Sequence, residues 1–256
     1  MASKYYVVWQ GRTPGIYDNW NACKAQVDKF AGARYKSFKT QAEAQAAFNG
    51  GTSTKPSSSV KKAASKSSSV RTYTGSEIDK MTYATKIFTD GGCEPNPGEA
   101  GSGIAVYRDG QLDQLWYGLY NPMGTNNTAE LNALHQALLM AEVDAELGRT
   151  VAIFCDSKYA IQCITQWAAG WQKKGWKKSG GEIKNLELIQ QMFALYMDAV
   201  ESNDGIEIYH VNGHVGVEGN ELADRMSIHA INQKTPSFDL YDGPLNVAEV
   251  LAMSHG

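Results

Sequence analysis

Four acidic residues in the second half of the chain could do chemistry together. They are Asp90, Glu130, Asp156 and Asp224, and each falls near a predicted end of a strand or helix. Crowded carboxylates repel one another and stay ionised only when cations lie between them. Oxygen ligands suit Mg²⁺, which binds a few carboxylates and keeps positions for phosphate oxygens and water. The four residues therefore predict a divalent-metal site, provided that the fold brings them together.

Each of these acids also has a simpler structural interpretation. Asp90 precedes two glycines and could be a turn residue. Glu130, three residues after Asn127, could complete a capping box. Asp156 could cap the helix that follows it, and Asp224 could lie in a first helical turn, where the macrodipole favours negative charge. Taken singly, none of the four decides between these interpretations and a metal site.

One histidine accompanies the acids. His214 lies ten residues before Asp224 in a glycine-rich loop, NGHVGVEGN. Glycines permit movement, and a histidine can carry protons near neutral pH. We interpret His214 as a proton shuttle, and the alternative is a loop histidine without a role.

Hydrophobic patterning predicts the elements that must position these residues. The predicted strands cover residues 86–90, 103–108, 114–120, 151–155 and 206–211, and the predicted helices cover residues 129–147, 157–166, 183–200 and 221–231. Three strands followed by alternating helices and strands predict an α/β fold, a mixed five-stranded sheet with flanking helices. The acids then fall at the ends of elements, where such sheets bind ligands.

Composition divides the chain into four parts. Residues 1–48 predict a small αβ module, with strands at 4–10, 16–17 and 34–38 and helices at 21–30 and 40–48. Residues 49–83 predict a flexible linker, because 53–70 contain eight Ser and four Lys without an acid or an aromatic residue. Residues 84–235 form the predicted catalytic domain. Residues 236–256 form a C-terminal extension without a clear period or an assigned role.

Charge is distributed unevenly along the chain. The net charge is -3, but residues 1–48 and 49–83 each carry a balance of +4, and residues 84–256 carry -11. A basic front half suggests a polyanionic partner, and a solvated surface is the alternative. No apolar run is long enough to span a membrane, and no signal peptide precedes the first strand. Four scattered cysteines are typical of reduced thiols in a cytoplasmic protein.

Four motifs in the second half resemble those of type 1 ribonuclease H, in order and spacing, over residues 84–232. They read IFTDGGCEPNPG, TNNTAEL, FCDSKYAIQCITQW and HVNGHVGVEGNELAD. The resemblance implies a ribonuclease H-like fold and an endonuclease that cuts the RNA strand of RNA/DNA hybrids, leaving 5′-phosphate and 3′-hydroxyl ends. It implies two Mg²⁺ ions, with Mn²⁺ as a substitute, held by Asp90, Glu130, Asp156 and Asp224. His214 would assist proton transfer or product release.

Three tryptophans, at 167, 171 and 176, are interleaved with lysines 173, 174, 177 and 178. They could be core residues or part of a basic protrusion that contacts phosphates and bases. The resemblance implies such a protrusion, which grips the DNA strand. It further implies that DNA phosphates are contacted by Thr125, Ser179 and Asn185. Tyr159 and Trp167 would be aromatic residues of the DNA channel. Asn96 and Asn126 would contact the RNA sugars.

Residues 4–48 resemble the hybrid-binding domain attached to many type 1 ribonucleases H. The resemblance implies that Tyr6 and Trp20 stack on the DNA strand and that Lys36 contacts a phosphate. Ser37 stands where the pattern often has a second lysine. The alternative is a small basic fold whose aromatics are core residues. We expect a monomer with RNA/DNA hybrid as its partner, and double-stranded RNA as a second ligand of this module.

Two other classes of protein are alternatives to the endonuclease. A catalytically inactive nucleic-acid-binding protein with this fold would not need all four carboxylates. A DNA-cutting relative, such as an integrase or transposase core, shares an acidic sheet edge but lacks the basic protrusion and the N-terminal module. A Mg²⁺-dependent cleavage assay on a labelled hybrid distinguishes the endonuclease from the inactive binding protein.

Overall fold

A computed structural model describes residues 5–28, 30, 33–38, 40–49, 70–202, 205–213 and 216–256. The chain divides into two compact units, Met1–Lys66 and Ser67–Gly256. Within the described ranges, no helix is long and apolar enough to cross a membrane.

The first unit is a three-stranded antiparallel sheet, in the order β2-β1-β3, with two helices. Its elements are β1 (Tyr5–Gln10), β2 (Gly15–Tyr17), α1 (Trp20–Val27), β3 (Arg34–Phe38) and α2 (Gln41–Asn49). Alternation along β1 sends Val8 to a small core with Cys23 and Val27 of α1. The predicted capping box forms at α2, since Thr40 and Glu43 exchange two 3.2 Å hydrogen bonds.

The second unit contains one mixed sheet, in the order β10-β7-β6-β5-β8-β9-β4. Its strands are β4 (Thr72–Tyr73), β5 (Thr85–Glu94), β6 (Gly98–Arg108), β7 (Gln111–Gly124), β8 (Val151–Cys155), β9 (Ile206–Val211) and β10 (Phe238–Leu240). Its helices are α3 (Gly75–Ile78), α4 (Asn126–Glu146), α5 (Lys158–Gln162), α6 (Ala168–Gln172), α7 (Leu186–Ser202), α8 (Glu218–Gln233) and α9 (Val247–Leu251). A π-helical turn, Cys163–Trp167, joins α5 to α6.

The sheet has a hydrophobic core on each face because neighbouring strand residues point to opposite sides. Ile87 and Ile153 pack with α4 and α7 on one face. Phe88 and Phe154 pack with α8 and α9 on the other face, and their rings stack with centroids 4.8 Å apart. The sheet is thus covered on both sides, as the fully apolar β8 predicts.

The five predicted strands form the centre of the sheet, but two predictions about their surroundings are wrong. The predicted linker runs to residue 83, yet residues 70–83 contain β4 and α3, because Ile78 is buried and Tyr73, Met81 and Tyr83 pack on the core. The sheet has seven strands, since β4 adds to one edge and β10 to the other.

The C-terminal extension folds onto the second unit. Its β10 pairs antiparallel with β7, and Val250 of α9 is buried in the core beside α8. Thus residues 236–256, which had no assigned role, form part of this unit.

Candidate active site

Asp90 lies in the interior of β5, the strand between β6 and β8. It pairs with Gly103 of β6, so it is a strand residue, and its interpretation as a turn residue is wrong. Its side chain is buried. The hydroxyl of Ser227 on α8 donates to Asp90 Oδ2 at 3.0 Å. A helix from the opposite side of the site thereby orients this carboxylate.

Glu130 is brought to Asp90 by a close approach of helix α4 to strand β5. An ideal Cβ at Gly91 would lie 2.2 Å from Glu130 N and 2.4 Å from Ala129 C. Only glycine allows this approach. The helix begins after Thr125, whose side chain caps it by accepting from Thr128 N, so the capping-box interpretation of Glu130 is wrong. The buried Glu130 Oε2 has no hydrogen-bond partner among the residues that the structure describes.

Asp156 is the first residue beyond β8, the strand parallel to β5. Ser157, and not Asp156, caps the following helix, since it accepts from Ala160 N at 3.3 Å. Asn220 Nδ2 lies 3.5 Å from Asp156 Oδ2. Potential ligand atoms of Asp156, Glu130 and Cys155 all lie within 4.8 Å of one another.

Asp224 comes from α8, which packs directly on β6. An ideal Cβ at Gly103 would lie 2.1 Å from Ala223 O, so the helix backbone touches the strand there. The helix begins at Glu218, which puts Asp224 beyond the first turn and excludes the macrodipole interpretation. Arg225 forms an ion pair with Asp224 Oδ2, and Gly256 N donates to Asp224 Oδ1 at 3.2 Å.

The four carboxylates line one cavity of ≈ 520 Å³. Burial, and then repulsion from Asp156 and Asp224, raises the pKa of Asp90 well above its usual range. Burial, and then repulsion from Asp156 and Asp90, does the same to the pKa of Glu130. Carboxyls in this state are stabilised by a cation, which removes the repulsion and supplies the partner that Glu130 Oε2 lacks. The site therefore fits divalent metal ions.

Cys155 does not belong to the ligand set, although its sulfur is close. Burial raises the pKa of this thiol well above its usual value. The pKa of Asp90 and that of Glu130 are raised in the same way, so ligand type decides: soft thiolates suit zinc and iron–sulfur centres, whereas hard cations such as Mg²⁺ take oxygen ligands. The oxygen atoms of the carboxylates define the site.

His214 lies outside the described residues, so its assigned role stays a prediction. The preceding residue does approach the site. An ideal Cβ at Gly213 would lie 2.6 Å from Asp156 Oδ2. The chain therefore passes against the Asp156 carboxylate immediately before His214.

Several of the predicted nucleic-acid contacts lie together beside the cavity. Asn126 N donates to Asn96 Oδ1 at 3.2 Å, which joins the two residues assigned to RNA sugars. The hydroxyls of Thr125 and Thr128 are 2.8 Å apart, and Thr128 Oγ1 donates to Asn185 Oδ1 at 3.0 Å. Thr125 and Asn185, assigned to DNA phosphates, therefore share one network at the start of α4.

The aromatic residues assigned to the DNA channel contact each other. The ring centroids of Tyr159 and Trp167 are 6.0 Å apart, and Trp167 is 5.8 Å from Trp171. Trp176 packs edge-on against Phe193. All three tryptophans are half-buried against the core of the second unit, so each ring packs on the core and keeps part of its surface exposed.

The lysines interleaved with these tryptophans are exposed, namely Lys173, Lys174, Lys177 and Lys178. Ser179 follows them in an exposed turn, where Lys178 and Gly181 form an isolated bridge. This segment thus combines tryptophans that pack on the core with exposed lysines, and its role as a phosphate-binding protrusion stays a prediction.

In the first unit, Tyr6 and Trp20 contact each other with ring centroids 5.5 Å apart. Tyr35 extends this row, 5.9 Å from Trp20, and both Trp20 and Tyr35 are more than two-fifths exposed. Lys36 does not join the row, because alternation along β3 turns it away from Tyr35. It is exposed, with Nζ 5.8 Å from the centroid of the Phe38 ring. Exposed, neighbouring rings are suited to stacking on bases or sugars.

Sequence reasoning missed several residues that contact the site or extend its surfaces, among them Tyr35, Ser227, His210 and Gly256. Tyr35 could have been found as an aromatic residue on a strand beside Lys36. Ser227 has no signal beyond its helical spacing, three residues after Asp224. His210 and Gly256 touch Asp156 and Asp224 only through the tertiary structure, so no local pattern identifies them.

Comparison with known proteins covers both units. A family model described as RNase H matches residues 82–232, and one described as Ribonuclease H1 N-terminal domain matches residues 4–48. The chain is 29% identical to Ribonuclease H1 of Mus musculus over 262 residues, covering 90% of each. It is 30% identical to Ribonuclease H1 of Homo sapiens over 263 residues, again covering 90% of each. It is 41% identical to Ribonuclease H of Acidovorax sp. (strain JS42) over 149 residues, 57% of this chain and 94% of the relative.

Proposed function

This chain belongs to the ribonuclease H family as a type 1 enzyme that hydrolyses the RNA strand of RNA/DNA hybrids, and from this premise we propose its metal ions and its catalytic residues. Asp90, Glu130, Asp156 and Asp224 would hold two Mg²⁺ ions, for which Mn²⁺ would substitute. Asp90 and Asp224 would hold the ion that supplies the activated water, and Asp90, Glu130 and Asp156 would hold the ion that stabilises the leaving group. The products carry 5′-phosphate and 3′-hydroxyl ends.

One observation carries the proposal. Carboxylates from four separate elements line a single cavity, and within the described part of the chain the buried Glu130 Oε2 has no hydrogen-bond partner. Two such ions, when bound, lower the pKa of an attacking water and stabilise the entering and leaving oxygens. Mg²⁺ in particular is favoured by an all-carboxylate ligand set that leaves positions for phosphate and water.

The remaining residues of the site would orient the carboxylates, bind the substrate or transfer a proton. The hydroxyl of Ser227 holds Asp90, and the amide of Asn220 approaches Asp156. Asn96 and Asn126, joined by a hydrogen bond, would contact 2′-hydroxyls, the groups that distinguish RNA from DNA. His214 would carry a proton to or from the reacting phosphate.

We further propose that the first unit holds the substrate. Tyr6 and Trp20 would stack on the DNA strand, and Lys36 would contact a phosphate. The same surface would bind double-stranded RNA, and the protein would act as a monomer in the cytoplasm. Support comes from the exposed aromatic row and from the match of residues 4–48 to the Ribonuclease H1 N-terminal domain.

The proposal is tested with Asp156→Asn in the full chain. The variant should cleave a labelled hybrid at less than about a tenth of the wild-type rate in Mg²⁺, because loss of even an outer-shell partner of a metal ligand costs about 10–100-fold in metal affinity or activity, and loss of the ligand itself costs at least as much. It should bind the hybrid as tightly as wild type or more tightly, since a charge that repels phosphate is gone.

Asp109→Asn is the matched control. Asp109 lies between β6 and β7, is exposed, and has φ 52°, a conformation that Asn tolerates. Its rate should equal that of wild type. Cleavage by Asp156→Asn at more than a tenth of the wild-type rate would exclude the assigned role. Absence of Mg²⁺-dependent cleavage in the wild type would instead identify an inactive binding protein.

A further inference from the structure

Strand β4 lies in a segment that precedes the residues matched by the RNase H family model, which begin at 82. It nevertheless pairs in parallel with β9, joining Thr72 to His210 and Tyr73 to Val211. The segment that follows the linker is therefore attached to the strand that leads into the Gly213 loop. This attachment brings a side chain from outside the matched region close to the metal site.

His210 connects β4 to Asp156. Its side chain is buried, with 3% of the residue exposed. Its Nε2 lies 3.0 Å from the main-chain oxygen of Asp156, and its Nδ1 lies 2.8 Å from Thr72 Oγ1. A carbonyl oxygen only accepts, so Nε2 carries the hydrogen. In the neutral ring Nδ1 then accepts, and the Thr72 hydroxyl donates to it.

The position of Asp156 explains why this contact matters. The last ladder pair of β8 and β9 is Cys155 with His210, so Asp156 lies just beyond the sheet. Its carboxylate is approached by Asn220 Nδ2 at 3.5 Å and by the Gly213 backbone. His210 holds the main chain at the point where the side chain leaves toward the metal site. A ligand held on both its backbone and its carboxylate is preorganised for metal binding.

We propose that Thr72 and His210 are positioning residues for Asp156. Residues 70–83 thereby contribute to metal binding by the second unit. This inference rests on the proposed function, in which Asp156 binds Mg²⁺. The hydroxyl of Thr72 holds the ring of His210 at Nδ1, and Nε2 of the same ring holds the backbone of Asp156. Neither residue touches the substrate.

The contacts from Thr72 through His210 to Asp156 form a relay. Thr72→Val in the full chain tests this relay, with Thr72→Ser as the matched control. Valine keeps the shape and the strand preference of threonine but has no hydroxyl, whereas serine keeps the hydroxyl. Mg²⁺ binding to the metal-free protein is measured by isothermal titration calorimetry, and Mg²⁺ is titrated in cleavage assays. Thr72→Val should weaken Mg²⁺ binding about fivefold, on the scale of one lost hydrogen bond. Thr72→Ser should stay within about twofold of wild type by the same reasoning.

A double-mutant cycle with His210→Gln distinguishes a relay from general destabilisation. Glutamine keeps a donor for the Asp156 carbonyl but cannot reproduce both ring contacts. Adding Thr72→Val to it should weaken Mg²⁺ binding by much less than fivefold, since the relay is already broken. The melting temperature is measured on every variant.

Three results would overturn the inference. Unchanged Mg²⁺ affinity in Thr72→Val, with or without a lower melting temperature, would show a structural role only. Equal losses in Thr72→Val and Thr72→Ser would show that packing matters and the hydroxyl does not. Full additivity in the cycle would exclude the relay. Failure of the proposed function is recognised separately, because the wild-type chain would then show no Mg²⁺-dependent cleavage.

Discussion

Gly91 is the position where the fold sets the distance between two proposed metal ligands. In Gly91→Ala the new Cβ would lie 2.2 Å from Glu130 N, whereas Cβ atoms essentially never come closer than 3.0 Å to other atoms. Helix α4 must therefore retreat by the difference, about 0.8 Å. The clash is with backbone atoms, so no side-chain rotation relieves it.

The retreat has two consequences of predictable size. Overpacking costs about 1–3 kcal/mol, which lowers the melting temperature of a domain of this size by roughly 2–12 °C. A displacement near 1 Å at a catalytic group reduces the rate by up to about 10²-fold. We therefore expect Gly91→Ala to remain folded and to cleave the hybrid about 10–100 times more slowly than wild type.

Differential scanning fluorimetry and initial cleavage rates at saturating Mg²⁺ measure both effects. Gly170→Ala in α6 is the control for stability, because nothing lies within 4 Å of its ideal Cβ. Its melting temperature should match or exceed that of wild type, since alanine favours the helix. A Gly91→Ala enzyme with the wild-type melting temperature and rate would refute the argument that this close approach positions Glu130.

Three further predictions concern charge, stacking and proton transfer. Burial and neighbouring carboxylates raise the pKa of Glu130 in the metal-free protein, so its ionised form destabilises the fold as the pH rises. Glu130→Gln should therefore raise the melting temperature in EDTA more at pH 8 than at pH 5.5. An equal rise in melting temperature at both pH values would contradict this. Trp20→Ala should weaken hybrid binding by about 1–3 kcal/mol in a filter-binding assay, and unchanged affinity would remove Trp20 from the binding surface. His214→Ala should slow turnover by about 10²-fold or less with nearly unchanged Mg²⁺ affinity by calorimetry, and complete inactivity would exclude a shuttle role.

The central strands and the helices that cover them were predictable because their residues carry strong local patterns. Strand β8 is an unbroken apolar run, and it has the predicted bounds, Val151–Cys155. Strand β9 likewise covers Ile206–Val211 as predicted. The order of the motifs then led to Asp90, Glu130, Asp156 and Asp224, whose side chains the fold does bring to one cavity.

The parts that escaped prediction depend on tertiary contacts. Strands β4 and β10 have two and three residues, too few for a period, and form only because a sheet edge accepts them. Strand β5 continues through Gly91 and Gly92 to Glu94, although two glycines usually indicate a turn. Here the glycines allow α4 and α8 to approach the strand. A single sequence cannot distinguish these two uses of glycine.

The amide of Gly256 lies 3.2 Å from Asp224 Oδ1, and the guanidinium of Arg225 donates to the carbonyl of Leu251 at 3.2 Å. This arrangement affects how the protein is best purified. A hexahistidine tag joined after Gly256 would begin beside the carboxylates and would offer imidazole ligands for Ni²⁺ or Zn²⁺ there. Metal affinities measured on such a protein would mix the tag with the enzyme. A tag that is cleaved off before the titrations avoids this error.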